Sequence, residues 1–174
     1  MNQLQLIQNR RSCRIFTEQT VEETKIETLL KAALWSPTSK NNRPWEFVVV
    51  DDKNLISQLS LSKPHGAEFL KGAPLAIVLV ADPQKSDVWV EDTAIAATLI
   101  QLTAEDIGLG SCWIQTRLRD HADGGASSDF VKKLLNLPAD MQVASIIAIG
   151  YKAKERKPYT DDVLNWDKVH RNKF

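Results

Sequence analysis

Apolar residues recur at helical spacing over Ile26, Leu29, Leu30, Ala33 and Leu34, which predicts an amphipathic helix. Thr20 with Glu23 three residues on has the form of a capping box opening that helix, and Ser36-Pro37 closes it. A shorter periodic stretch, Leu4 and Ile7, lies near the N-terminus. The period then changes. Trp45 to Val50 is aromatic and β-branched and predicts a strand, followed by two short helices over 54–60 and 66–71. Ala73-Pro74 introduces Leu75 to Ala81, apolar at every position, which predicts a strand buried on both faces. Glu91 to Ile107 is the clearest long helix. Its interior is apolar on most sides (Ala96, Leu99, Ile100), which places it centrally, and Glu91 and Asp92 suit the positive end of its dipole. Gly108 and Gly110 stop it before a short strand over Ser111 to Ile114. A polar loop with Gly124-Gly125, a capped helix over 128–136 ended by Pro138, and a strand from Val143 to Ile149 complete the pattern.

Helices and strands thus interleave with no linker, repeat or low-complexity segment, so residues 1–174 are expected to form a single domain. Residues 151–174 differ from the rest: they are strongly polar yet keep Tyr159, Trp166 and Phe174, too widely spaced for a core of their own. Disordered tails are poor in aromatics, so this extension is expected to pack on the core or on a second subunit.

Lys+Arg and Asp+Glu both number 22, so no global field attracts nucleic acid or an anionic membrane, and any anion site must be local. No apolar run reaches the roughly 20 residues of a membrane-spanning helix, and the N-terminal residues lack the form of a secretory signal. Cys13 and Cys112 form no spaced motif, which suits a reducing cytoplasm, and the three histidines are too scattered to suggest a metal site.

The local charge is concentrated. Arg10, Arg11, Ser12 and Arg14 fall within five residues. Such a cluster is either a solvated basic turn or a phosphate site, since guanidinium forks match phosphate oxygens and the serine adds a donor. Lys152, Lys154, Arg156 and Lys157 form a second cluster able to complete it. No nucleotide-binding glycine motif, nucleophile elbow or zinc-protease motif occurs, and no acid–base pair stands out. His65 reads as loop structure and Cys112 as a small buried hydrophobe. A chain without catalytic side chains can still be an enzyme if a cofactor carries the reaction. Its remaining needs would be polar groups for a ring edge, which Thr38, Ser39, Asn41 and Asn42 could supply, and close backbone approach near Ser111 to Gln115.

Four segments together resemble the nitroreductase-like FMN flavoproteins, in their compact form: RRSCRIF (10–16), SPTSKNNRPW (36–45), GLGSCWI (108–114), and Ile149-Gly150-Tyr151 with the basic run behind it. The resemblance implies an α+β sandwich, its mostly antiparallel central sheet flanked by helices, in an intertwined homodimer with FMN at the subunit interface. It further implies that Arg10, Arg11, Ser12 and Arg14 hold the phosphate and ribityl chain, with Arg156 or Lys157 adding a contact. Pro37, Thr38, Ser39 and Asn41 would approach from the other subunit, and Trp113, Ile114 and Gln115 would line one ring edge. The activity implied is ping-pong hydride transfer through flavin N5, from NADH or NADPH to a nitroaromatic, quinone or related small-molecule acceptor. The other readings are a non-catalytic FMN-binding or carrier protein, and a dehalogenating or flavin-fragmenting relative.

Overall fold

The computed structural model describes residues 2–174. Its elements run α1 (Gln3–Asn9), α2 (Glu23–Leu34), β1 (Trp45–Val50), α3 (Lys53–Leu59), β2 (Leu75–Ala81), α4 (Trp89–Asp106), β3 (Gly110–Gln115), α5 (Ser127–Leu134) and β4 (Gln142–Gly150). The strands form one sheet in the order β1-β2-β4-β3, every pairing antiparallel. The fold is therefore α+β, as expected.

β2 and β4 occupy the centre, and their near-continuous apolar sequence follows from that position. Along β2 the side chains alternate between two cores. Leu75, Ile77 and Leu79 meet α2 and α4 on one face; Ala76, Val78 and Val80 meet α3, α5 and the turn over Glu68–Gly72 on the other. Both cores thus share one sheet, and a charge anywhere in β2 would be stranded without a partner.

Several local predictions need correction. α2 is not opened by Thr20: its N-cap is Glu22, with no side-chain cap bond. The Glu22 carboxylate instead accepts the Tyr151 hydroxyl at 2.6 and 2.8 Å, and Thr17 N–H donates to Tyr151 O, which ties both ends of residues 17–22 to the residue after β4. The helix over 66–71 is a 3₁₀ turn, Glu68–Gly72. α5 starts at Ser127, one residue early, with no side-chain cap at Ala126. α4 likewise starts at Trp89 rather than Glu91. No helix among the described residues is long and apolar enough to cross a membrane.

Candidate cofactor site

The first basic cluster is held in place by backbone bonds. After α1 ends at Arg10, the chain runs along the outer edge of β3, with Ser12 in a parallel bridge to Ser111 and Cys13 N–H donating to Ser111 O at 2.9 Å. It then turns to pair with the residues after β4: Phe16 bridges Lys152, and Ala153 N–H donates to Ile15 O. Gly110 permits this approach. A Cβ there would stand 2.7 Å from Cys13 Cβ and 2.8 Å from Cys13 Sγ and Lys152 Cγ, closer than atoms pack.

The stitched segments enclose a cleft of about 510 Å³ lined by Arg11, Ser12, Arg14, Arg156 and Lys157, with Glu105 and Lys152 also in its wall. Residues from the two ends of the sequence are thereby brought to one place. Arg10 is not in the lining; it is half-buried where α1 ends.

Charge in the cleft is unevenly compensated. Lys152 is answered internally, its ammonium 2.8 Å from Glu105 and 3.4 Å from Glu155. Burial works to lower its pKa, but the hydrogen bond to Glu105 and the two carboxylates hold it above its ordinary value. Among the described residues, none of Arg10, Arg11, Arg14, Lys154, Arg156 and Lys157 has a carboxylate within 4.0 Å. Like charges gathered so closely repel, and a phosphate dianion entering the cleft would relieve that repulsion while gaining charge-assisted bonds. This surplus, beside the Ser12 hydroxyl, fits the phosphate end of FMN. The thiols do not supply a nucleophile: burial pushes both Cys13 and Cys112 up from their ordinary pKa, and both are free.

On β3 the three expected ring-edge residues differ. The Ile114 side chain is fully buried in the core that α5 covers. Trp113 is half-buried, its indole N–H donating to Gln115 Oε1 at 2.9 Å, and the Gln115 amide donates to Arg117 O. Because Ser111 O points outward to Cys13, strand alternation turns the backbone N–H groups of Trp113 and Gln115 to the same open edge, and those of Ile114 toward β4. β3 thus presents the backbone N–H groups of Trp113 and Gln115 along its open edge, beside their partly exposed side chains.

Pro37, Thr38, Ser39 and Asn41 are not part of the cleft in one copy of the chain. They sit between α2 and β1, and β1 lies at the opposite sheet edge from β3, three strand spacings or about 14 Å away. The loop is tightly made. Lys40, Asn41 and Arg43 all have positive φ (50°, 58° and 46°), a conformation that costs non-glycine residues and marks a loop held by its surroundings. Thr38 Oγ1 accepts Arg43 N–H, and Asn41 Oδ1 accepts Arg43 Nε–H.

The residue holding this loop is one that sequence reasoning assigned to the helix dipole. Asp92, only 2% exposed, accepts Ser39 N–H through Oδ1 and the Ser86 hydroxyl through Oδ2, both at 2.9 Å. The signal was available: Asp92, Ala96 and Ile100 share one helical stripe, and that stripe is the buried one. His65, by contrast, is exposed, with Glu68 at 3.8 Å.

Comparison with known proteins agrees with this geometry. A family model described as the nitroreductase family matches residues 7–63 and 57–151. A putative NADH dehydrogenase/NAD(P)H nitroreductase of Archaeoglobus fulgidus is 34% identical over 98% of both chains. Among solved structures, an FMN-dependent nitroreductase from Clostridium difficile R20291 superposes with a TM-score of 0.96, at 46% identity over 98% of this chain and 99% of that one. A putative NADH dehydrogenase/NAD(P)H nitroreductase from Parabacteroides distasonis gives 0.89 at 32% identity over the whole of both chains. With its fold and four motifs accounted for in one architecture, the chain belongs to the nitroreductase family.

Proposed function

We propose that the protein is a cytoplasmic, homodimeric FMN-dependent oxidoreductase that takes electrons from NADH or NADPH and delivers them to a nitroaromatic, quinone or similar small acceptor. The observation that carries the reading is the cleft in which arginines and lysines from both ends of the chain stand without carboxylate partners. Relatives named as NAD(P)H nitroreductases and NADH dehydrogenases support the same electron donor.

When bound, FMN supplies the hydride-accepting and hydride-donating ring. Everything else is done by the protein. Arg14, Ser12, Arg156 and Lys157 bind the phosphate end, with Arg10 contributing charge from the end of α1. The outward backbone N–H groups of Trp113 and Gln115 face the ring edge and set its position against β3. No side chain is assigned as acid or base.

Two copies are part of the proposal. Ser39 is bonded to Asp92 in the first turn of α4, while Glu105 in the last turn borders the cleft. Thirteen helical residues, about 20 Å, separate them. Pro37, Thr38, Ser39 and Asn41 therefore meet a flavin only if a second copy brings them. The tail supports this. All of residues 153–174 are exposed on their own chain, including Trp166 at 70%, and Val163, Leu164 and Val169 stand out with it.

The purified protein should be yellow and should bleach anaerobically with NADH or NADPH. Colourless protein that cannot be reconstituted with FMN would overturn the proposal. Arg14→Ala and Arg10→Ala should each weaken FMN retention, the former by the roughly 1.5–3 kcal/mol of a charge-assisted bond.

A further inference from the structure

Arg11 behaves unlike the other cations of the cleft. Its Nη1–H donates to the backbone carbonyl of Lys157 at 2.6 Å, and its guanidinium lies 4.2 Å from the centre of the Tyr159 ring. Beside it, Tyr159 N–H donates to Gln8 O at 3.0 Å and Gln8 Nε2–H donates back to Tyr159 O at 2.8 Å. One edge and one face of the guanidinium are thus spent on the chain itself. We propose that Arg11 is a positioning residue: with Gln8 and Tyr159 it clasps the start of the C-terminal tail to the end of α1, and so holds Arg156 and Lys157 against the phosphate cleft.

Residues from Ala153 onward are exposed, so no core packing fixes the path of 154–159. Arg156 and Lys157 are long side chains with much rotamer freedom, and they converge on an anion usefully only if their backbone is already placed. The paired bonds between Gln8 and Tyr159 set the direction of the chain, and the Arg11 hydrogen bond fixes its depth two residues earlier, at Lys157. A guanidinium suits this task better than an ammonium, because it can stack on the ring and donate in its own plane at once. The clasp sits where the tail departs. An anion that draws Arg156 and Lys157 inward therefore also steadies the segment that leads to the second copy, and by linkage the reverse holds.

The positioning effect on FMN rests on the function proposed above; the clasp does not. The test uses the full-length protein, stripped of FMN and then titrated with it. Amide hydrogen exchange over residues 155–163 reports the clasp in the stripped protein, and flavin fluorescence quenching reports affinity. Arg11→Ala and Tyr159→Ala should each speed exchange at the backbone amide of position 159 and weaken FMN by a similar factor, about tenfold, the worth of one such contact. The double variant should be little worse than either single one, because both break the same unit. Tyr159→Phe keeps the ring and should restore both readings, which a general loss of structure would not allow. Tyr159 is half exposed, so its variants stay informative even if Arg11→Ala folds poorly.

Unchanged exchange in Arg11→Ala would overturn the clasp. Weak FMN binding in Arg11→Ala with wild-type binding in Tyr159→Ala would overturn positioning and make Arg11 a direct phosphate ligand. If the wild type binds no FMN, the function proposed above fails instead, and inorganic phosphate as the titrant, with the same variants, then decides the clasp.

Discussion

At its first turn, α4 carries a carboxylate that answers two donors of its own chain; at its last turn it carries one that answers a single lysine and leaves the neighbouring arginines unanswered. Asp92 closes a network completely, and the strained loop over Lys40 to Arg43 is held in shape before any ligand arrives. Around Glu105, Lys152 alone among the cleft's described cations finds a carboxylate. One end of the helix is complete on folding, and the other keeps a surplus of positive charge that the proposed anion would make good. Substitutions at the two ends should therefore separate stability from affinity.

The largest effect is expected at the complete end. Asp92→Ala leaves the Ser39 N–H and the Ser86 hydroxyl buried without an acceptor, and the loss should approach 3 kcal/mol in denaturant unfolding, about two donors' worth. FMN affinity should fall as well, since the loop that Asp92 holds is the one proposed to meet the flavin of the second copy. Asp92→Asn keeps an acceptor for Ser39 and should recover much of the stability. Unchanged stability together with unchanged affinity would mean that the loop does not depend on this carboxylate.

Gly110 lies between the two behaviours. Gly110→Ala drives a methyl into Cys13 and Lys152, and overpacking of this kind costs about 1–3 kcal/mol. Because the displaced strand carries Ser12 and Arg14, FMN binding should be lost along with stability. Retained yellow colour with a normal melting temperature would show that residues 11–14 can shift without harm.

Those two sites also show what could be read from the sequence. β2 was plain because every position is apolar and only a central strand tolerates that. The cleft was half legible: two basic clusters more than 130 residues apart were each visible, but their meeting depends on bridges at Ser12 and Phe16 that no local pattern encodes. Thr20 misled because a capping box is a local signal, and the tertiary bond from Tyr151 to Glu22 decided where α2 begins. Asp92 was hidden by its position, since an acid at a helix start satisfies the dipole argument before burial is considered.

At the incomplete end the stability effect is expected to vanish. Arg156→Ala removes a cation that has no carboxylate partner, so the FMN-free protein should melt within about 0.5 kcal/mol of wild type. Affinity for FMN should nevertheless drop about tenfold, and the drop should shrink as salt rises. Equal losses in stability and affinity would erase the distinction between the two ends.

The smallest effect concerns a compensated cluster one residue from the cleft wall. The Glu22 carboxylate is held below its ordinary value of 4.5, first by the hydrogen bond from the Tyr151 hydroxyl, which also accepts a bond from Lys25 at 2.8 Å. A carboxylate with a depressed folded pKa stabilises above its unfolded value and stops doing so as pH falls through the folded one. Tyr151→Phe keeps the ring under Lys25 but removes the hydroxyl. Wild type should therefore be slightly the more stable at neutral pH, by a constant margin that closes below about pH 4.5. FMN affinity at neutral pH should not follow, because this cluster neutralises itself and lends no charge to the cleft. A margin that persists unchanged into acid would show that the hydroxyl acts through its bond from Lys25 and not through Glu22, and a parallel loss of FMN would extend the anion site beyond the residues that line it.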